Sequence, residues 1–106
     1  MEYKTIFNHI GEALLIFDEK GNITDANPAA LQLYGYTYPE MLKLCGKDIV
    51  SENFYSKFLS FLEIMETDKS FSCFSVDKRK DGSLISVLVN GYRILYKNKH
   101  HLLAVI

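Results

Sequence analysis

At 106 residues, of which 48% are hydrophobic, the chain is long enough for one domain with a core and too short for two. Its twelve basic and thirteen acidic residues give a formal net charge of -1, which disfavours binding of nucleic acid or of an anionic membrane. No apolar run approaches the roughly eighteen residues of a membrane span, and residues 1–4 do not resemble a signal peptide, so we expect a cytoplasmic segment, whether or not its parent protein is membrane-anchored.

The first ten residues carry an apolar stripe at helical spacing. The stripe consists of Tyr3, Ile6, Phe7 and Ile10. This i, i+3, i+4, i+7 pattern predicts an amphipathic helix over residues 2–10. So short a helix is unstable alone, so the stripe must be covered, either by the sheet of its own chain or by the same helix of a second copy. The second arrangement would make the chain a homodimer.

Residues 11–39 predict two short strands around a tight turn, followed by a helix. Residues 13–17 form an apolar run of strand length, and residues 23–26 read as the return strand. Asp18 and Gly21 provide the turn chemistry between them, since glycine takes a positive φ without strain. The next helix begins with Asn27 as its N-cap and Pro28 at its first position, and Gly35 ends it.

The middle of the chain is predicted to be helical. A second helix starts at Thr37 and ends near Gly46, a single turn covers residues 47–50, and the longest helical pattern runs over residues 51–66. The apolar face of this last helix comprises Phe54, Phe58, Phe61, Leu62 and Met65.

From residue 70 the apolar period changes to two, which predicts strands. Phe74 and Val76 lie in one phase and Phe71 and Cys73 in the other, so this strand contains a bulge or packs on both faces. Asp81 and Gly82 then supply a hairpin turn.

The last two predicted strands cover residues 84–96 and 102–106. Asn90 and Gly91 indicate a bulge or bend within the first, and residues 97–99 turn the chain between the two. Because the sequence stops on apolar residues, we expect it to be a fragment of a longer protein.

This element order indicates an α+β fold with an antiparallel sheet covered by helices on one face. We therefore divide the chain into a flanking helix, residues 1–10, and a single domain, residues 11–106. Within that order, nearly the whole chain resembles a PAS domain, the sensor module of many histidine kinases and other signalling proteins. The motifs that carry the resemblance are Asp18 with Gly21-Asn22-Ile23, Asn27-Pro28-Ala29-Ala30, Gly35-Tyr36, Pro39-Glu40-Met41-Leu42, Gly46-Lys47 and Lys80-Asp81-Gly82-Ser83.

The resemblance implies a five-stranded antiparallel sheet in the order 2-1-5-4-3, with short helices on one face around a small pocket. It implies a sensory and protein-protein interaction module, most plainly the input domain of a two-component histidine kinase. We expect the domain to form a homodimer through the apolar stripe of residues 2–10 and the outer face of the sheet. Flanking helices of this homodimer would relay the state of a ligand or partner to an output domain of the same parent chain. The alternative is a sensor with a specific small-molecule or cofactor ligand.

We predict no cofactor for the pocket. Haem-binding relatives place an axial histidine on the long helix, and residues 51–66 contain none. Light-sensing flavin relatives carry a reactive cysteine in a distinctive helix, from which the surroundings of Cys45 differ on both sides. Redox flavin relatives tend to use a tryptophan, and this chain has none.

The remaining polar residues do not predict an enzyme. Cys45 and Cys73 lack metal or redox spacing. His100 and His101 could suggest a metal site, but neighbours on a strand point to opposite faces and cannot bind one ion together, so we assign both to a solvated turn. Asp18, Asp25 and Asp81 are assigned to turns, and no catalytic constellation is recognisable. We therefore expect a non-catalytic domain that binds neither metal nor nucleic acid and has no direct membrane contact.

A pocket is predicted between the helices and the long strand. Its candidate lining residues are Tyr34, Phe54, Phe58, Leu62, Val87 and Val89. The alternative is that these side chains fill the space themselves, which their large rings favour.

Overall fold

An antiparallel sheet forms the centre of the computed structural model, which describes residues 3–67 and 69–106. Its strands are β1 (Leu14–Phe17), β2 (Ile23–Ala26), β3 (Phe71–Lys78), β4 (Leu84–Tyr96) and β5 (Lys99–Val105). The spatial order is β2-β1-β5-β4-β3, with every neighbouring pair antiparallel. This five-stranded arrangement confirms the predicted fold class and strand order.

Five α-helices are described around this sheet. They are α1 (Tyr3–His9), α2 (Pro28–Tyr34), α3 (Tyr38–Met41), α4 (Gly46–Ile49) and α5 (Tyr55–Leu62). In the part of the chain that the structure describes, none of the helices has the length and hydropathy needed to cross a membrane. Helix α1 confirms the predicted N-terminal helix from Tyr3 onward, while the predicted first residue of that helix, Glu2, lies outside the described residues.

The predicted continuous helix over residues 51–66 is wrong in detail. A 3₁₀ turn, Glu52–Phe54, precedes α5, and a second one, Glu63–Glu66, follows it. The break occurs at Phe54, whose φ of -112° and ψ of 2° depart from α-helical values. The predicted place of the Met65 side chain on the apolar face lies outside what the structure describes.

Asn27 joins three elements and is completely buried. Its Oδ1 accepts hydrogen bonds from the backbone amides of Leu14 (2.9 Å) and Ala30 (3.0 Å), so it caps α2 and fixes the start of β1. Its Nδ2 donates to the carbonyls of Phe7, Ile10 and Glu12 at 2.9–3.2 Å. One amide side chain therefore also holds the end of α1 against the sheet.

The two predicted turns are formed by the predicted residues. Asp18 Oδ1 accepts from the backbone amides of Lys20 and Asn22, both at 2.9 Å, and Gly21 has a φ of +86°. In the β3–β4 hairpin, Asp81 Oδ1 accepts from the amide of Ser83 at 2.9 Å, and Gly82 has a φ of +89°.

Strand β4 has no bulge or bend at Asn90-Gly91, because its register with β3 and β5 is continuous there. Gly91 instead allows a close approach. A Cβ at this position would lie 2.4 Å from Cε1 of Phe61, so only glycine leaves room for that ring. Strand β3 contains no bulge, because its pairing with β4 is continuous. Its side chains divide between the two faces of the sheet: Phe74 is 54% exposed on the outer face, while Ser75 and Asp77 face inward and are buried.

The two faces of the sheet are covered differently. Helices α2–α5 cover the inner face and enclose the main core. Helix α1 covers part of the outer face, where Phe7 packs against Leu14 and Ile16. The outer side of β3 and β4 remains open, as the exposed rings and chains of Phe74 and Leu88 show.

The assignment of His100 and His101 to a solvated turn is wrong. A two-residue turn, Lys97-Asn98, joins β4 to β5, and both histidines lie on β5. His101 is only 7% exposed, and its ring lies edge-on to Tyr96 at a centroid distance of 5.0 Å. Pairing of β5 with β4 begins at Lys99 because the turn needs only two residues with positive φ.

Candidate functional site

A small cavity lies between the inner face of the sheet and helices α2, α4 and α5. Its free volume is about 30 Å³, which suffices for one or two water-sized groups. The residues that line it are Leu15, Phe17, Tyr34, Ile49, Val50, Lys57, Phe58, Phe61, Cys73, Ser75, Asp77, Val89, Ala104 and Ile106. Any occupant of this cavity must have few non-hydrogen atoms unless the surrounding rings move.

Half of the predicted pocket residues border this cavity. Tyr34, Phe58 and Val89 line it directly. Phe54, Leu62 and Val87 instead pack in the surrounding core and do not reach it. The structure therefore brings together the helix and strand positions that the sequence suggested, but with a narrower set of side chains and a smaller volume.

The predicted pocket residues do not include the polar wall of the cavity. Cys73, Ser75 and Asp77 occupy successive inward positions of β3 and all three border the cavity. The signal in the sequence was the phase of Phe71 and Cys73, because alternate residues of a strand share one face. That phase carries Ser75 and Asp77 inward together with Phe71, although both are polar.

Asp77 is the buried charge of this wall, with 3% of its surface exposed. Its Oδ2 accepts a 2.5 Å hydrogen bond from the Tyr34 hydroxyl, and its Oδ1 accepts a 2.9 Å hydrogen bond from Ser75 Oγ. Burial raises the pKa of Asp77 despite both hydrogen bonds. Burial and the neighbouring Asp77 charge also raise the pKa of Tyr34, which keeps that hydroxyl protonated as the donor.

A second buried carboxylate, Asp25, lies on β2 at the edge of α1. The assignment of Asp25 to a turn is wrong, since it is 1% exposed within the strand. Four side chains donate hydrogen bonds to it. They are Tyr3, Lys4 at 2.9 Å, Tyr38 at 2.9 Å and Tyr96 at 3.3 Å. Asp25 thus connects α1, α3 and the end of β4.

The surroundings of Asp25 stabilise its charged form. Burial alone would raise its pKa, but the hydrogen bonds from Tyr3, Lys4 and Tyr38 outweigh burial and lower it. In return, desolvation and the bond to Asp25 raise the pKa of Tyr3. The cluster therefore consists of a carboxylate that is ionised at neutral pH, neutral tyrosine donors and one lysine.

The predicted dimer stripe divides into a covered and an open half. Phe7 is 7% exposed and packs on the sheet of its own chain, and the Tyr3 ring stacks on Phe7 at 5.4 Å and on Tyr96 at 5.6 Å. Ile6 and Ile10 remain 51% and 39% exposed. The stripe thus folds back on its own sheet in part, and its open half borders the uncovered outer face.

The two cysteines have different surroundings. Cys45 precedes α4 and is half-buried, with its Sγ 3.4 Å from Asp48 Oδ2. Cys73 is half-buried on the cavity wall, where burial raises the pKa of its thiol. A thiol with a raised pKa is a poor nucleophile at neutral pH. Among the described residues, no three His, Cys, Asp or Glu side chains converge as a metal site would require.

Comparison with known proteins gives one family and many similar folds. The profile of the family described as PAS domain matches residues 1–72. A PAS domain of an HTR-like protein from Haloarcula marismortui superposes with a TM-score of 0.83 at 20% identity, covering 96% of this chain and 84% of that chain. A domain of a sensory box sensor histidine kinase/response regulator from Geobacter sulfurreducens gives a TM-score of 0.78 at 22% identity, covering 97% of this chain and 89% of that chain.

A third similar structure contains a small molecule. It is the PAS domain, in complex with ethanol, of a transcriptional regulator in the LuxR family from Burkholderia thailandensis. Its TM-score is 0.78 at 15% identity, and the match covers 100% of this chain and 96% of that chain. No curated protein sequence matches the chain significantly. At these identities the structural likeness establishes the fold.

Proposed function

This chain belongs to the PAS domain family, and on that premise we propose that it is the sensory input domain of a two-component histidine kinase. Proteins of similar fold include domains of sensor histidine kinases, which supports a signalling role. In this proposal the domain performs no catalysis itself. It changes the geometry of its flanking segments, and the output domain of the same parent chain responds.

The observation that carries the proposal is the division of the α1 stripe. One half of the stripe, represented by Phe7, anchors α1 to the sheet, while Ile6 and Ile10 remain open beside the uncovered sheet face. A helix in this position contacts the sheet of its own chain and leaves apolar side chains available to a second copy. It therefore has the arrangement that a dimeric relay requires.

The exposed outer face of β3 and β4 extends this surface. Phe74 and Leu88 are register partners and are 54% and 57% exposed, and Tyr92 is 43% exposed. Exposed apolar side chains that adjoin one another mark interaction surfaces more often than isolated ones do. We propose that Ile6, Ile10 and this sheet face pack against the same residues of a second copy as a two-fold dimer.

Sedimentation velocity of the purified chain tests the dimer. We expect the wild-type chain to sediment as a dimer and the Ile6→Glu/Ile10→Glu variant as a monomer, because two buried charges would oppose self-association. Leu59→Glu is the matched control, since Leu59 is 47% exposed on α5, away from the outer face. A monomeric wild-type chain, or a dimer that survives the double substitution, would overturn the proposal. Phe7 is unsuitable for this test because its substitution would disturb the fold of the single chain.

A second candidate function, a small-molecule sensor, is favoured by the cavity. A void with a buried carboxylate on one wall and apolar side chains on the others has the composition of a ligand site. The similar domain from Burkholderia thailandensis holds ethanol, a molecule of few atoms. We propose that a ligand of comparable size occupies the cavity and alters the packing of α5 against the sheet.

A further inference from the structure

The hydrogen bonding of Asp77 is incomplete for a buried carboxylate. A carboxylate accepts about four hydrogen bonds, and Asp77 receives two from side chains, those of Tyr34 and Ser75. Both donors are neutral hydroxyls. Burial of a charge is strongly unfavourable unless the charge is compensated, so acceptor capacity and negative charge both remain available at the cavity wall.

No cation from the described residues completes this site. Lys57 is the lysine that borders the cavity, but its Nζ lies 5.1 Å from the ring centroid of Phe54 and does not hydrogen-bond to Asp77. Lys57 is also exposed, so water solvates its charge. No side chain among the described residues therefore supplies a cation to Asp77, and a cationic ligand in the cavity would do so.

The rest of the cavity accommodates hydrocarbon. Phe17, Phe58 and Phe61 form its aromatic side, and the Phe17 and Phe58 rings meet edge to face at 5.1 Å. A ligand that satisfies both sides needs a charged donor at one end and a short apolar group at the other. The volume of about 30 Å³ restricts that apolar group to one or two carbon atoms, and even these require small movements of the rings.

We propose that the cavity binds a small primary ammonium ion, whose ammonium group donates to Asp77 and whose alkyl group packs against Phe58 and Phe61. The proposal rests on the proposed sensory function, of which it names the ligand class. A charge-assisted hydrogen bond is roughly twice as strong as a neutral one, so an ammonium ion binds more tightly than an alcohol of the same size. A carboxylate of that size is repelled by Asp77.

An NMR titration of the ¹⁵N-labelled chain with three probes of similar size tests the ligand class. The probes are ethylammonium chloride, ethanol and sodium acetate, at constant ionic strength and pH 7. We expect ethylammonium to shift the amides of β3 and α5 in a saturable manner, with a dissociation constant about tenfold lower than that of ethanol. Acetate should produce no saturable shift. Equal affinities for ethylammonium and ethanol, or saturation by neither, would overturn the proposal.

Asp77→Asn identifies the recognising group. This substitution keeps the side-chain size and removes the charge, so we expect about a tenfold loss of ethylammonium affinity and little change for ethanol. Asp81→Asn, an exposed turn residue, serves as the control and should bind as the wild type does. Unchanged ethylammonium affinity in Asp77→Asn would contradict the assignment. Sedimentation of the same samples reports the dimer separately, so failure of the ligand class and failure of the proposed dimeric relay are distinguishable.

Discussion

The Nζ of Lys4 lies 2.9 Å from Oδ1 of Asp25, and this ion pair joins the N-terminal helix to the second strand. The two partners differ in environment: the Lys4 side chain is 43% exposed, whereas that of Asp25 is 2% exposed. If the ion pair breaks, water can solvate the Lys4 ammonium group at little cost in free energy. Water cannot reach the buried Asp25 carboxylate in the same way. Removal of Asp25 should therefore weaken the attachment of α1 to the sheet more than removal of Lys4 does.

Asp25→Asn should lower the free energy of unfolding by about 2–3 kcal/mol. The estimate follows from the loss of several hydrogen bonds to a buried charge, offset in part because the amide oxygen retains some of them. Urea unfolding at pH 7, followed by circular dichroism, measures this quantity. Glu40→Gln is the control, because Glu40 forms an exposed ion pair with Lys80 and its loss should change stability little. Equal losses in the two variants would show that burial of Asp25 does not matter.

The stability of the protein in acid should depend on the ionisation of Asp25. The folded-state pKa of Asp25 is lowered, so its contribution is present above the unfolded value of about 3.8 and is lost as the pH falls through the folded pKa. The acid limb of the stability curve below pH 3.8 should therefore be shallower in Asp25→Asn. Chemical unfolding at a series of pH values between about 2 and 4 measures the slopes. Parallel slopes in wild type and variant would contradict the lowered pKa.

Tyr34→Phe should destabilise the protein more at neutral pH than in acid. The Tyr34 hydroxyl bonds to the Asp77 carboxylate, and a hydrogen bond to a charged group contributes about 1.5–3 kcal/mol against about 0.5–1.5 kcal/mol for a neutral one. Burial raises the folded-state pKa of Asp77 above the unfolded value of about 3.8. The contribution of Asp77 to the free energy of unfolding is therefore fully present below about pH 3.8 and is lost as the pH rises through the folded-state pKa. Tyr34→Phe removes a hydrogen bond that lowers the pKa of Asp77, so it raises this pKa further. The loss of stability between pH 3.8 and neutral pH is therefore larger in the variant.

Unfolding free energies at pH 3 and pH 7 measure this difference for Tyr34→Phe. Tyr36→Phe is the matched control, because Tyr36 is a half-buried tyrosine whose hydroxyl makes no hydrogen bond to the described residues. It should show a small effect that is the same at both pH values. A Tyr34→Phe loss that is independent of pH would mean that Asp77 does not change its protonation state between pH 3 and pH 7, which would contradict this prediction.

The elements that local chemistry defines were predictable from the sequence. Asn27 and Gly35 mark the beginning and the end of α2, as predicted, because capping depends on residues next to the helix. Strand β4 is predicted from residue 84 to residue 96, as observed, because its long apolar run lies between two turns with strong signals.

The site was less predictable, because its polar residues are satisfied by partners distant in sequence. Asp25 is bonded by Tyr38 and Tyr96, which are 13 and 71 positions away. Asp77 is bonded by Tyr34, which is 43 positions away. Without those partners, an aspartate in a strand pattern is expected to face solvent. The phase of Phe71 and Cys73 is consistent with an inward Asp77, but the hydrogen bond from Tyr34 that accompanies its burial is a tertiary contact that no local pattern reports.

Gly91→Ala should destabilise the protein by about 1–3 kcal/mol, as expected for overpacking of a core. The new Cβ would lie 2.4 Å from the Phe61 ring, which is 3% exposed and cannot move freely. Thermal unfolding of Gly91→Ala, Phe61→Leu and the double variant measures the coupling, and the double variant should lose less than the sum of the single losses. Gly11→Ala is the control, since nothing lies within 4 Å of its added Cβ. Additive losses would show that Phe61 is not the obstacle.

The β4–β5 turn should respond to the backbone preference of its second residue. Lys97 and Asn98 have φ values of +52° and +65°, the combination of a type I′ turn, in which glycine is favoured at the second position. Asn98→Gly should therefore be neutral or stabilising by up to about 0.5 kcal/mol, whereas Asn98→Ala should lose about 1 kcal/mol. Urea unfolding measures both, and Asn53→Ala, in an exposed helical turn, should change stability by less than about 0.5 kcal/mol. If Asn98→Ala is as stable as Asn98→Gly, the positive φ at this position does not persist in solution, and the register of β5 with β4 is fixed by its apolar residues rather than by the turn.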